Sequence, residues 1–296
     1  MKKLLAKIKS LKSQGYGRGR IAEELGVTQH TVRAAFAELE KLQSVEETIL
    51  IKPDSHACCK ENNKRFDLLG KFTNDRRPSV IVDLGDHWDM ESLSSFDKGK
   101  ASAEGNRYIN DIDVGIDAME RFLNPLTYNP RKVFIRGNHE YRIIRAANSD
   151  PALVGTLSYE DLQLEEMGWE VCDYKDVIDI EGIAFTHHFT AGRMDKPISG
   201  VDGASQARNI LTKVHMSAVQ GHSHVWGYAE DTLTTGKKIF AIVAGCFFEK
   251  EVGYASKSEQ KKWSRGVTLL HKVITENGVE WDVEKVSIDR MRAMYG

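Results

Sequence analysis

The stretch SVIVDLGDHWD, Ser79–Asp89, decides the fold. Its apolar β-branched run, Val80-Ile81-Val82, stops at Gly85 after a handful of residues, which reads as a short buried strand rather than a helix turn. At the end of that strand stand Asp86, His87 and Asp89, so the strand delivers polar chemistry where it stops. Outward on both sides the pattern repeats: ETILIKP (47–53) lies upstream and KVFIRG (132–137) downstream, with helical spacing around Asn62–Lys71 and Tyr108–Leu123 between them. Strands alternating with helices of this length predict βαβ units and an α/β fold. Further along come EVCDY (170–174), VIDIEGIAFTHH (177–188), SAVQGHSH (217–224), KKIFAIVAG (237–245), GVTLLHKVIT (266–275) and VEWDVEKVSID (279–289). These read as strands joined by short turns with few helices between them, and predict a further, partly antiparallel sheet.

Length and composition set the frame. With 296 residues, 41% hydrophobic, 28% charged and 6 prolines, the chain can bury a substantial core, and a disordered or fibrous protein is excluded. No apolar run is long enough to cross a bilayer, so no membrane partner is expected. The opening MKKLLAKIKS reads as the first turns of a helix, because Lys7 and Lys9 interrupt it before a leader's apolar region forms. Cys58, Cys59, Cys172 and Cys246 form neither a disulfide ladder nor a C-x-x-C clip, which points to a reducing, cytoplasmic setting.

The net charge of −2 is unevenly spread. Nine basic against four acidic residues put Met1–Leu42 at +5, leaving the rest of the chain at −7. That change of polarity, with the change from helical to strand patterning, places a domain boundary at about residue 45, hence domains 1–45 and 46–296. In the first, Ile21, Ala22, Leu25, Val27, Val32, Phe36 and Leu39 keep helical spacing on either side of Gly26. Gly26 can supply the positive φ that ends one helix and Thr28 the cap that starts the next. IAEELGVTQHTVRAAF (21–36) thus resembles a helix-turn-helix, making the first domain small and all-α. The resemblance implies DNA as partner, with Gln29, His30, Thr31 and Arg33 as the contacts of a second helix in the major groove, and a possible homodimer. An ordinary packing hairpin is the alternative.

In the larger domain the histidines and carboxylates gather just past strand ends, where open α/β sheets build their sites. Asp54-Ser55-His56 follows the first strand, Gly85-Asp86-His87-Trp88-Asp89 the second and Gly137-Asn138-His139-Glu140 the third; later strands deliver His187-His188 and Gly221-His222-Ser223-His224. Imidazole, carboxylate and amide together suit two divalent ions such as Mn, Fe, Zn, Co or Ni, rather than calcium or a thiolate zinc site. Two ions about 3.5–4 Å apart can bind a phosphate, acidify a bridging water and screen an in-line displacement.

D-x-H, G-D-x-x-D, G-N-H-E, a strand-end His and G-H-x-H, in that order, resemble the calcineurin-like metallophosphoesterases over Asp54–His224. The resemblance implies a two-sheet sandwich flanked by helices. It implies one metal on Asp54, His56 and His224, a bridging Asp86, and a second metal on Asn138, His187 and His222, with His187 preferred to His188 as the nearer to the apolar run Ile183–Phe185. It implies a metal-activated water as nucleophile, His139 as the acid protonating the leaving oxygen, and Asp89 as the residue orienting it. His87, His188, His30, His215 and His271 are expected to stay outside the metal shells.

Three features bear on the substrate. Met90-Glu91 follow Asp89, where protein phosphatases of that superfamily continue with Arg-Gly, and Glu91 would repel a dianionic monoester. The pattern is closer to phosphodiesterase and nuclease branches, of a phage type. Arg142 and Arg145 are spaced to share a helix face that could approach a phosphate, and the polar segment Met90–Asn106 could form a substrate loop. Gly15–Arg20 reads as a basic turn. The expectation is a two-metal phosphodiesterase, a nuclease on DNA. A DNA-binding regulator that senses a nucleotide and a small-molecule phosphodiesterase are the alternatives, and the acidity of the larger domain tells against an extended duplex track.

Overall fold

A computed structural model describes residues 2–13, 15–43, 47–253, 255–275 and 278–296. The chain forms two compact units, Met1–Glu47 and Thr48–Gly296. The boundary read at residue 45 falls outside the described residues.

The first unit holds α1 (Lys2–Ser13), α2 (Arg18–Leu25) and α3 (Gln29–Gln43). Ile8, Ile21, Ala22, Val32 and Ala35 bury one shared core. Gly26 ends α2 at φ 64°, its N–H donating to the carbonyls of Ala22 and Glu23, and the Thr28 hydroxyl accepts the Thr31 N–H at 3.1 Å to cap α3. Arg18 and Arg20, read as part of a turn, belong to α2.

In the second unit β1 (Thr48–Lys52), α4 (Lys64–Arg76), β2 (Val80–Asp83), α5 (Tyr108–Leu123), β3 (Arg131–Ile135), α6 (Tyr141–Ser149) and β4 (Glu170–Cys172) come first. Then follow β5 (Ile178–Ile180), β6 (Ile183–Thr186), the short pair β7 (Thr190–Ala191) and β8 (Lys196–Pro197), α7 (Gly203–Val214), β9 (Ser217–Gln220), β10 (Trp226–Thr232) and β11 (Lys238–Ala244). The chain finishes with α8 (Lys257–Gln260), β12 (Gly266–Thr275), β13 (Gly278–Ser287) and α9 (Ile288–Tyr295). The strands make a six-stranded sheet, β13-β12-β1-β2-β3-β4, and a five-stranded one, β10-β11-β9-β6-β5.

Strand alternation builds the layers. Ile49 and Ile51 of β1 face the second sheet and pack with Val82, Val133, Phe185, Val219 and Ile242, whereas Leu50 faces the other way, onto Phe66 and Leu69 of α4 and Met119 and Phe122 of α5. Ala207, Ile210 and Leu211 of α7 cover the outer face of the second sheet. The result is the expected two-sheet sandwich flanked by helices, each fully buried Ile, Leu or Phe contributing about 1.5–3 kcal/mol.

Two readings are corrected. The β12–β13 hairpin and β4 belong to the first sheet, where β12 runs antiparallel beside β1, because a strand pattern names a strand and not its partner. Few helices stand between the later strands, as read: α7 and the short α8, with α9 following β13. The helix read at 62–71 runs instead from Lys64 to Arg76, with Asn63 preceding it. Among the described residues no helix is long and apolar enough to cross a membrane.

Candidate metal centre

The parallel strands β1, β2 and β3 end side by side, so the residues after them meet at one rim. Two glycines let them meet closely. A Cβ on Gly137 would collide with the carboxylate and backbone nitrogen of Asp86, and one on Gly221 with the carboxylate of Asp54. Asp86, His56, His222 and His224 all adopt positive φ, at 48°, 44°, 69° and 60°. Non-glycine residues take that region only where surroundings enforce it, which is typical of functional sites.

Asp54, His56 and His224 form one buried group, and Asp54, Asp86 and His187 another. The His56 and His224 Nε2 atoms are 3.1 Å apart, and His224 Nε2 is 3.2 Å from Asp54 Oδ2. His187 Nε2 lies 3.0 Å from Asn138 Oδ1, 3.2 Å from His222 Nδ1 and 3.5 Å from Asp86 Oδ2. Asp86 Oδ2 is also 3.9 Å from His56 Nε2, so it stands between the two groups. The seven residues expected as ligands are therefore brought together.

The donor set fits a pair of cations. His187 Nδ1 donates to the Leu84 carbonyl at 2.8 Å, so its Nε2 is the atom turned to an amide oxygen and a carboxylate oxygen, where the neutral ring offers a lone pair to a cation and the charged ring a proton. Acceptors crowded on acceptors repel unless a positive charge sits among them. Ligand atoms on one ion at 2.0–2.2 Å stand roughly 2.8–3.6 Å apart, which is the spacing around His187 and between His224 and its two neighbours, while His56 stands farther from Asp54 and Asp86, at 4.0 and 3.9 Å. The Asp54 carboxylate is itself fixed by the His222 N–H, at 3.0 and 3.1 Å to its two oxygens.

Electrostatics divide the imidazoles. Burial and the neighbouring His139 hold His56 down at about 4, and burial with His187 does the same to His222. Burial also lowers His187 and His139, but Asp86, together with Asp54 and the Leu84 carbonyl for His187 and with the Asp89 carboxylate for His139, outweighs it and both end raised. Burial disfavours the Asp54 and Asp86 anions; the surrounding imidazoles, His224, His187 and His56 for Asp54 and His187, His139 and His56 for Asp86, together reverse this, and both carboxyls lie below the ordinary range. His188 is buried beside His222, with ring centroids 4.7 Å apart, and burial pushes it down to about 3.

His139 sits at the opening of this centre. Its Nδ1 donates to the Asp89 carbonyl at 2.6 Å and lies 3.0 Å from the Asp89 carboxylate, which also meets His56 Nδ1 at 3.3 Å. Arg142 donates to the carbonyls of Asp89 and Met90 at 2.9 and 3.2 Å and its guanidinium lies 3.0 Å from His139 Nε2, while Arg145 stays exposed. The spacing that paired these arginines thus separates them.

Three participants were not legible in the sequence. Lys250, from the loop after β11, makes an ion pair with Asp89 and reaches Cys58 Sγ at 2.9 Å. Glu140 accepts the N–H groups of Asp86, Trp88 and Gly137. Beneath the centre, the fully buried Lys52 donates to Asp83 at 2.6 Å and to His87 Nδ1 at 3.0 Å, while His87 Nε2 donates to the Gly115 carbonyl. His87 therefore has a structural place, as expected.

Two cavities open from the centre, and both include His222 and His224. The larger, about 890 Å³, runs over His139 and Arg142 to the segment 91–106; the smaller, about 640 Å³, runs along Ser199, Ser256 and Trp263. Glu91 does line the larger, but Lys60 neutralises it at 2.8 Å. In the first unit Gln29, His30 and Arg33 are exposed on α3, and the half-buried Thr31 hydroxyl is tied to Thr28 at 2.9 Å.

No family model matches the chain. It is similar to the Gene 54 proteins of Mycobacterium phages L5 and D29, 26% identical over 219 and 220 residues, 71% of this chain and 83% of each relative. Among solved structures it aligns with Vacuolar Protein Sorting 29 from Cryptosporidium parvum at 13% identity and TM-score 0.36, and with a dimetal phosphatase from Danio rerio at 12% and 0.39. Both alignments cover 81% of this chain and 98% of the other.

Proposed function

We propose that the protein is a two-metal phosphodiesterase of the calcineurin-like type, acting on nucleic acid. The observation that carries the diester reading is the pair of cavities meeting at His222 and His224. A diester has a substituent on each side of its phosphorus and needs room for both; a monoester needs one. The order of the ligand motifs and the crowded acceptors around His187 support two divalent ions, one on Asp54, His56 and His224, one on Asn138, His187 and His222, with Asp86 between them.

Such ions, when bound, acidify water and screen charge on the phosphoryl oxygens. The chain's own part is to place and protonate. His139 stands at the mouth of the larger cavity, held through Nδ1 by Asp89, so its Nε2 is the proton donor for the oxygen that leaves. As water's oxygen bonds to phosphorus, the bond to the leaving oxygen breaks. That oxygen keeps the electron pair and takes the His139 proton. Arg142, beside Nε2, is within reach of the same oxygen.

The DNA reading rests on the basic first unit, where α2 and α3 are joined by the capped turn and α3 exposes Gln29, His30 and Arg33. The test is hydrolysis of bis-p-nitrophenyl phosphate against p-nitrophenyl phosphate with Mn²⁺, beside digestion of labelled DNA, for the wild type and His139→Ala. Preferential diester turnover with DNA cleavage, both reduced at least 100-fold in the variant, is expected. Diester turnover with intact DNA would favour a small-molecule substrate, and no hydrolysis with any divalent ion would overturn the enzymatic reading.

A further inference from the structure

The larger cavity has a wall that hydrolysis alone does not require. Phe96 lines it from the segment 91–106 with 61% of its surface exposed, and Lys100 Nζ lies 3.3 Å from the ring centroid. A large aromatic ring held open on the rim of a reaction cavity is an available stacking surface, and a cation over one face adds to its order.

The charges around it are selective. Of the cations lining this cavity, Lys60 is paired with Glu91 and Lys250 with Asp89. The Arg142 guanidinium is held by two backbone carbonyls beside the His139 imidazole, and Asp97 feels its charge only across space. Among the described residues two lining cations, Arg142 and Lys100, meet no carboxylate directly; Lys100 lies over the Phe96 ring, so a volume of about 890 Å³ has a phosphate end at Arg142 and an aromatic end at Phe96. That volume lies within the range of small-ligand sites.

We infer that this cavity is a nucleoside pocket, which takes the leaving side of the diester with its base stacked on Phe96 and its ester phosphate beside Arg142. The assignment of the leaving side rests on the phosphodiesterase reading, since it follows from His139. A base can stack on Phe96 only when it is free of its own helix, so the pocket selects single strands or short oligonucleotides over duplex. The charge of −7 outside the first 42 residues agrees, because a duplex track is ordinarily basic.

The experiment compares dithymidine monophosphate with its two analogues lacking one or the other thymine, using the Mn²⁺-loaded full chain, the wild type, Phe96→Ala and Phe96→Trp. Stacking contributes about 1–3 kcal/mol per base, so removing one of the two thymines should lower wild-type kcat/KM about 5–150-fold. Phe96→Ala should compress that ratio to within about threefold, and Phe96→Trp should keep it. A wild type indifferent to both thymines, or an undiminished ratio in Phe96→Ala, overturns the pocket. Because Phe96 is exposed, its variants should keep the wild-type melting temperature. Calorimetry with thymidine monophosphate and inorganic phosphate separates the two readings. If no diester is hydrolysed, but Phe96→Ala still lowers the affinity ratio of thymidine monophosphate to phosphate, the nucleoside pocket stands and the phosphodiesterase reading fails. If diesters are hydrolysed and that ratio ignores Phe96, the pocket fails and the phosphodiesterase reading stands.

Discussion

Glu140 is a fully buried carboxylate whose two oxygens accept three backbone N–H groups, from Asp86 and Gly137 at 2.9 and 2.8 Å and from Trp88 at 3.1 Å. It pins the turns after β2 and β3 to each other and so sets where Asp86 and Asn138 point. Glu140→Gln replaces one acceptor by an N–H₂ group that must face backbone N–H groups. The expected outcome is a loss of about 1–3 kcal/mol in urea unfolding, with Mn²⁺ affinity about 10–100-fold weaker by calorimetry. Unchanged values in both would show that the pinning is dispensable. Gly137→Ala tests the same joint from the other side. Its Cβ meets the Asp86 carboxylate and backbone, and overpacking of this kind costs about 1–3 kcal/mol and should abolish Mn²⁺ binding. The motif containing these residues was readable, but the work of Glu140 was not. A carboxylate at a strand end reads as a ligand or an acid; its role as an acceptor depends on N–H groups from two loops that only the fold brings together. Lys250 was hidden for the same reason, reaching Asp89 from 161 positions away with no motif around it.

At the scale of elements, the parallel strands set the ligands and the helices set the rim. β1, β2 and β3 announced themselves because each is a short apolar run that stops at a turn, and α5 because its apolar stripe is long; its bounds match the reading at both ends. The last hairpin was assigned to the wrong sheet because alternation specifies a strand's faces and says nothing of its neighbour. α7 escaped because its buried stripe is sparse in large apolar side chains, being Gly203, Gln206, Ala207, Ile210 and Leu211. One link between element and rim can be tested by pH. Asp111, on α5, accepts the Ser92 N–H at 2.9 Å and so ties the start of the cavity-lining segment to the helix. Burial raises its pKa, the Ser92 contacts oppose the rise, and nearby carboxylates add to it. A carboxyl raised in the folded state keeps its proton where the unfolded chain has lost it, so stability falls as pH climbs from the unfolded pKa through the folded one. At pH 7 the ionised Asp111 is thus a net cost. Asp111→Asn keeps an oxygen for the Ser92 N–H and removes the charge. It should raise the urea midpoint at pH 7, the gain fading towards pH 3; a lower midpoint at pH 7 would contradict the assignment.

Across the whole molecule, charge and chemistry are divided between the two units. The basic stretch Met1–Leu42 carries +5, and every proposed metal ligand lies between Asp54 and His224, in the second unit. Binding linked to folding then predicts which part of the protein responds to metal. At a free Mn²⁺ concentration 100 times the dissociation constant, the ion adds about 2.7 kcal/mol to the second unit. For a unit of this size that raises the melting temperature by about 5–10 °C, and chelation with EDTA reverses it. Residues 48–296 alone should show the same Mn²⁺-dependent shift and the same turnover of bis-p-nitrophenyl phosphate as the full chain. Retention of labelled DNA should behave differently. It should be lost from residues 48–296, weakened in full-length Arg33→Ala, where an exposed side chain is removed without disturbing the core, and diminished steeply between 50 and 200 mM salt. If residues 48–296 hold DNA as tightly as the full chain, the contact belongs to the second unit, and the role proposed for Gln29, His30, Thr31 and Arg33 fails while the metal centre is untouched.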